Sequence, residues 1–224
     1  MSRIVALAFA LAVSLAVAAP SSASTIVTFG EVGTNEFVAT DNGDGTTSLN
    51  VSAVVSITQI ISGSLDPAAV FTLSAISNND ATLLLGQAVT QRYEGSFTLT
   101  NAANTVTYLE GTFGAALEFG GNGSTGATLT ANSFPQSPPL VLSSDLLALM
   151  NPESFGLTFA NISPTLHIDS SGPNPTIASF TASFSGVADA QEQVQAVPEP
   201  TSLLLLGTGL VAGARELRKR LARG

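Results

Sequence analysis

Ser48-Leu49-Asn50-Val51-Ser52-Ala53-Val54-Val55-Ser56-Ile57-Thr58 places an apolar side chain at 49, 51, 53, 55 and 57, and a hydroxyl or amide at every intervening position but 54. Successive side chains of an extended chain point to opposite faces, so this stretch has one greasy face and one wet face, the mark of a half-buried antiparallel strand. The same alternation recurs at Phe71 and Leu73, at Phe97 and Leu99, and at Phe113, Ala115, Leu117 and Phe119. It returns at Ala127, Leu129 and Ala131, at Phe155, Leu157 and Phe159, and at Phe180, Ala182 and Phe184. Turn formers punctuate the series at Asp41-Asn42-Gly43-Asp44-Gly45, Asp66-Pro67, Asn78-Asn79-Asp80, Gly120 to Gly126 and Asn174-Pro175. Many short strands separated in this way predict an all-β domain, an antiparallel β-sandwich of jelly-roll or Ig-like kind. One short helix is expected at Ser144 to Met150, capped by Ser143 or Ser144 and stopped by Asn151-Pro152.

The two ends break this pattern. Arg3 precedes an uncharged apolar run from Ile4 to Ala19, and Pro20 then gives way to small residues, with Ser21 and Ala23 placed for cleavage after Ala23. That three-part order is a secretory signal peptide over residues 1–23. At the other end, Thr201 to Ala214 carries no charge and is followed by Arg215, Arg218, Lys219, Arg220 and Arg223. As a helix those positions reach about 21 Å against a hydrocarbon core of about 30 Å, so the segment crosses only with bilayer thinning or extended basic side chains. Leu203, Leu204, Leu205 and Leu206 wrap the whole helix circumference, and Gly207, Gly209 and Gly213 suit a membrane helix better than a soluble one. With Leu210 they make a transmembrane helix whose basic cluster stays cytoplasmic and leaves the preceding domain outside.

Residues 24–190 are thus the folded domain, residues 191–200 a polar linker and residues 201–224 the membrane helix and tail. Of sixteen acidic and seven basic residues, fourteen acids and only Arg92 fall between the signal peptide and Val197, which leaves that region near −13. Such a surface excludes nucleic acid as a partner, because phosphates require cations. With no cysteine in the chain, disulfides, thiolate metal sites and cysteine nucleophiles are excluded as well.

Just ahead of the membrane helix stands Val197-Pro198-Glu199-Pro200. Each proline fixes its own φ and disfavours helix at the residue before it, so the stretch is extended and suited to a protease groove. The tripeptide, the leucine and glycine run and the terminal Arg/Lys cluster together resemble the PEP-CTERM sorting signal of Gram-negative bacteria. Here Glu216 and Leu217 interrupt the cluster, which in that family is usually a compact arginine run. The resemblance implies recognition by exosortase, a membrane-embedded cysteine protease that processes its substrate near the motif, after removal of the amino end by signal peptidase. It further implies a transient inner-membrane tether, then a place on the cell surface or in the extracellular matrix with exopolysaccharide and biofilm.

No side-chain set in the domain spells an enzyme, and no cofactor or metal ligand set is expected. Asp41 and Asp44 with their glycines fit a hairpin turn better than a calcium loop, whose twelfth position would be Ser52. His167 is the sole histidine and lacks a Gly-x-Ser-x-Gly elbow. Glu110 and Glu118 would suit glycoside cleavage only at a defined carboxyl spacing, and both fall at positions read as solvent-facing. Gly120-Gly121-Asn122-Gly123-Ser124 joins two strands and opens no helix, so it does not cradle phosphate. Tyr93 and Tyr108 are the two tyrosines available for stacking on a sugar, the feature behind the alternative reading as a polysaccharide-binding module.

Overall fold

A computed structural model of the chain describes residues 23–60, 68–133 and 139–192. The chain divides into units 1–193 and 194–224, and every described residue lies in the first. The signal helix, the Pro-Glu-Pro motif, the membrane helix and the Asp66-Pro67 turn fall outside the described residues; Ala23 is exposed just ahead of the first strand.

The described residues form thirteen strands: β1 Ser24–Glu31, β2 Phe37–Asp41, β3 Thr47–Ile60, β4 Ala69–Ser77, β5 Thr82–Leu84, β6 Ala88–Asn101 and β7 Thr107–Gly121. They continue as β8 Ala127–Asn132, β9 Val141–Ser143, β10 Leu149–Ser163, β11 Ile168–Asp169, β12 Thr176–Ile177 and β13 Phe180–Glu192. Around the wall the order is β6, β4, β3, β1, β13, β10, β8 and β7, and β7 pairs back onto β6 from Ala88↔Gly121 to Thr100↔Thr107. The result is a closed eight-stranded antiparallel barrel, not the expected sandwich. Alternation cannot tell the two apart, since either buries one face of each strand; what decides is that every wall strand has neighbours on both sides. The strands are also longer than the punctuation suggested, 14 residues in β3 and β6 and 15 in β7 and β10. β2 fills the part of the wall that β1 leaves open, bridging β3 and β13 through Val38↔Asn50 and Thr181↔Val38.

The expected helix at Ser144 to Met150 does not form, and no helix occurs among the described residues. Thr107 N donates to Asp145 Oδ2 at 2.7 Å and Asp145 N returns a bond to Thr107 O at 3.0 Å, which ties this stretch to the start of β7. Leu149 and Met150 join β10 opposite Glu192 and Gln191. Two turns of helix have little stability alone, so these outside bonds prevail. Pro152, read as a helix stop, sits instead in β10 where the pairing skips from Met150 to Ser154, the irregular position a strand proline requires.

Phenylalanines fill the interior. Phe97 and Phe155 stack with centroids 3.8 Å apart, Phe37 and Phe159 lie at 4.3 Å, and Phe29 and Phe71 at 4.8 Å. Glycine makes room for them: a Cβ on Gly186 would collide with the Phe29 ring, and one on Gly111 would stand 2.6 Å from Phe97 Cε1. The outside is rich in hydroxyls, with Thr72 and Thr98 bonded at 2.6 Å and Thr28 and Thr58 at 2.8 Å. Apolar inside and polar outside is the reverse of a lipid-facing barrel wall.

The rim that carries the β2–β3, β5–β6 and β7–β8 turns also carries the β11–β12 hairpin. β13 ends at Glu192, on the opposite rim. Gln191 and Glu192, read as the start of the linker, continue β13 and pair with Met150 and Leu149 of β10.

Candidate functional site

One irregularity in β7 creates the most unusual site of the barrel. Tyr93 pairs with Ala116 and Gly95 with Phe113, so Gly114 and Ala115 together oppose Glu94. This bulge advances the chain by one extra residue and exchanges the two faces beyond it. Phe113 is buried, but Phe119 is 47% exposed and Glu118 has no exposed surface. The placement of Glu118 on the solvent side is therefore corrected: it points into the barrel. Glu110, which precedes the bulge, does face solvent and accepts from Ser143 Oγ at 2.6 Å. The two carboxylates lie on opposite faces, eight residues apart along one strand, roughly 26 Å at about 3.3 Å per residue. They do not converge as a glycoside-cleaving pair.

Glu118 stands opposite Gln91 in the ladder and diagonally from Tyr93, both fully buried, among the buried polar residues Thr47 and Thr176 at the same rim. The hydrogen bonds there form a closed set. Ile177 N donates to Gln91 Oε1 at 3.2 Å, Gln91 Nε2 donates to Asn79 O at 3.0 Å, and Tyr93 Oη donates to Gln91 Oε1 at 3.0 Å. Thr47 Oγ1 donates to Ile177 O at 3.0 Å, and Thr47 N donates to Ser77 Oγ at 2.8 Å. Neither carboxylate oxygen of Glu118 has a hydrogen-bond partner. Burial without a donor disfavours the charged form and pushes the Glu118 carboxyl up to about 7. A hydrogen bond from Tyr93 opposes that rise, in competition with the bond the same hydroxyl makes to Gln91 Oε1. Burial first, and then the neighbouring Glu118, push the Tyr93 hydroxyl well above the usual phenol range.

The signal for this cluster was in the sequence as the run Gly114-Ala115-Ala116, which breaks the contrast of large and polar residues just where the phase changes. Gln91, between Val89 and Tyr93 on the inward face of β6, was the other sign.

The remaining candidates stay apart. Asp41 Oδ1 accepts from Gly43 N at 3.0 Å, and Asp44 Oδ1 accepts from Thr46 N at 3.0 Å and Thr46 Oγ1 at 2.6 Å. Thr46 accordingly holds Asp44 below the usual carboxylate range, and the segment is the β2–β3 hairpin turn. His167 is exposed with Nδ1 2.7 Å from Thr165 O, while Asp169 turns to Ser171 N at 2.7 Å, which lowers its carboxyl. The Gly120 to Ser124 loop spends its donors on carbonyls, Asn122 N on Gln87 O, Gly123 N on Leu166 O and Ser124 N on Gly121 O. Tyr93 is unavailable to a sugar, and Tyr108 packs half-buried against the core. Among the described residues no three His, Cys, Asp or Glu side chains group to hold a metal ion.

Beyond the barrel, residues 196–219 match the PEP-CTERM protein-sorting motif. The chain carries the signal of an exosortase substrate, an exported protein processed at the membrane by a protease-like enzyme. No curated protein and no solved structure matches the chain.

Proposed function

We propose that this chain is a non-enzymatic surface or extracellular-matrix protein, associated with exopolysaccharide and biofilm, in which the barrel is the delivered cargo and residues 197–223 are its address. The observation that carries the reading is the sorting-motif match over residues 196–219 behind an amino-terminal export signal. On this reading signal peptidase cuts after Ala23. Val197, Pro198, Glu199 and Pro200 are the segment that exosortase grips, Leu203 to Leu210 anchor it, and Arg215, Arg218, Lys219, Arg220 and Arg223 hold the tail inside. Replacing Pro198, Glu199 and Pro200 by alanine should leave a heavier protein in the membrane fraction, while the parent is released trimmed at both ends. Equal intact mass and equal location of the two would overturn it.

A polysaccharide-binding barrel is the second reading, favoured by the outer wall. Asn50, Ser74, Ser96 and Thr112 are paired in register across β3, β4, β6 and β7, a level row of hydroxyl and amide groups. Capture of the protein on immobilised exopolysaccharide, lost when Ser74 and Ser96 become lysine, supports this reading; unchanged capture removes it.

A further inference from the structure

The acid at the β11–β12 rim has a use that its geometry spells out. Gln91 Oε1 receives the Ile177 N–H, so that atom is the amide oxygen, and Tyr93, its other neighbour at 3.0 Å, must be donating to it. The Tyr93 hydrogen is then spent, and the Thr47 hydrogen is spent on Ile177 O. The tyrosine can turn its hydrogen to Glu118 only by giving up Gln91 Oε1, and in the arrangement seen it presents lone pairs to the acid. A neutral carboxylic acid tolerates that surrounding and can donate its own proton into it. A carboxylate cannot, and among the described residues it has no cation in reach.

The groups around Glu118 leave it no other recourse. From β6 the facing titratable group is Tyr93, while Arg92 and Glu94 point outward and are exposed. β8 offers Leu129 in register, β3 offers Thr47, and β12 offers Thr176 and Ile177, none of which titrates. On the segment before β12, His167 is exposed and the Asp169 carboxylate is engaged by Ser171 N.

The network that Glu118 faces is also what fastens the rim. Ile177 is held by Gln91 and Thr47, Ala178 N donates to His167 O at 3.1 Å, and Ala81 N donates to Pro175 O at 2.8 Å. We propose that Glu118 is an acid latch: as a neutral acid it lets Thr47, Gln91 and Tyr93 clasp the β11–β12 hairpin to the barrel, and on losing its proton it loosens that hairpin and opens the rim. The barrel end is closed in mildly acidic surroundings, and it opens in alkaline ones.

Hydrogen exchange followed by mass spectrometry on the full-length protein tests this, using the ratio of wild type to Glu118→Gln at each pH to cancel the chemistry of exchange itself. In the peptide spanning residues 163–178 the ratio should be near one at pH 5 and rise toward an upper bound on the order of 100-fold by pH 9. A ratio that stays near one throughout overturns the latch. So does a rise that is equal in the mid-wall peptides of β4 and β13, since that reports whole-barrel loosening. Should Glu118→Gln fail to fold, infrared spectra of the wild type decide alone. The carbonyl stretch of a protonated carboxylic acid should persist at pH 6 and vanish above neutrality, and its absence at pH 6 overturns the proposal.

Discussion

Among the described residues of this barrel two glutamates are buried, one toward each rim, and the chain treats them in opposite ways. Glu153 is 8% exposed and its Oε2 accepts the Leu142 backbone N–H at 3.0 Å, while its own N–H donates to Ser133 Oγ at 2.8 Å. Burial raises its carboxyl and the Leu142 N–H pulls it back. Glu118 is buried more deeply, with neither carboxylate oxygen bonded. A charge can be kept where a donor meets it, and a buried acid without a donor keeps its proton instead. The Glu153 rim therefore uses its acid as a structural acceptor, and the Glu118 rim stores a titratable proton.

The largest effect that separates them is the pH dependence of stability. Glu118 moves from 4.5 in the unfolded chain to about 7 in the barrel, so the folded state binds the extra proton between those values. Stability from this group is fully present below pH 4.5 and is lost as pH rises through about 7, a total of about 3 kcal/mol at 1.36 kcal/mol per pH unit. Asp44 and Asp169, both held below the usual value, act in the opposite sense but below pH 3.8, outside this window. Urea unfolding at pH 5 and pH 8 should show the wild type losing most of that amount, and Glu118→Gln should lose little. Equal slopes for both proteins would erase the distinction between the rims.

Glu153 should fail in the other direction. Glu153→Ala leaves the buried Leu142 N–H without an acceptor and should cost about 2 kcal/mol at pH 5, and less at pH 8 because the raised Glu153 carboxyl itself gives up stability as pH climbs. Glu153→Gln keeps an acceptor oxygen at that point and should cost less than about 1 kcal/mol. Neither variant should flatten the slope that Glu118 imposes, and a Glu153→Gln protein with flat pH dependence would reassign the titration to the wrong rim.

These two sites also show what the sequence could and could not tell. Val51, Leu73, Leu99, Leu129, Phe155 and Phe184 were all readable as buried, because alternation reports the face of each strand directly, and all are buried. The sorting motif was readable because its information is local, in three adjacent segments. Barrel closure was not, since it depends on which strands meet at long range. The direction of Glu118 was not either, since one extra residue at Gly114-Ala115 reverses every later side chain in β7 while leaving composition unchanged. The helix expected at Ser144 to Met150 failed for a related reason: its caps were local, and the bond from Thr107 N to Asp145 that displaced it joins residues 38 apart.

Within the Glu118 rim, Tyr93→Phe offers a finer cut. It removes the donor to Gln91 Oε1 but leaves the Ile177 N–H in place, so the amide oxygen keeps one partner and the loss should be about 1 kcal/mol. Because Tyr93 opposes the upward shift of Glu118, its removal should carry the carboxyl still higher and move the loss of stability toward more alkaline pH. Carbon-detected titration of the glutamate side chains measures that displacement, and a downward move would show that Tyr93 was repelling the charge instead of easing it.

The smallest expected effect lies at the tip of the β5–β6 hairpin on this same rim. Leu85 and Gly86 hold φ of 52° and 71°, and Gln87 N donates to Leu84 O at 3.0 Å, the geometry of a type I′ turn. Glycine suits the second position, but a leucine at the first meets its own Cβ against the backbone at a cost of about 1 kcal/mol, and here it is 99% exposed with no packing to offset it. Leu85→Asn should relieve that strain, because asparagine adopts the left-handed region readily, and should stabilise the barrel by about 0.5 to 1 kcal/mol at every pH. A pH-independent gain at Leu85 beside a pH-dependent one at Glu118 would show two separate departures from optimal stability on one rim, the first purely of backbone conformation and the second purely of charge. If Leu85→Asn instead destabilises, the exposed leucine is gripping something in solution, and comparing its effect in dilute and concentrated protein would reveal whether that is another copy of the chain.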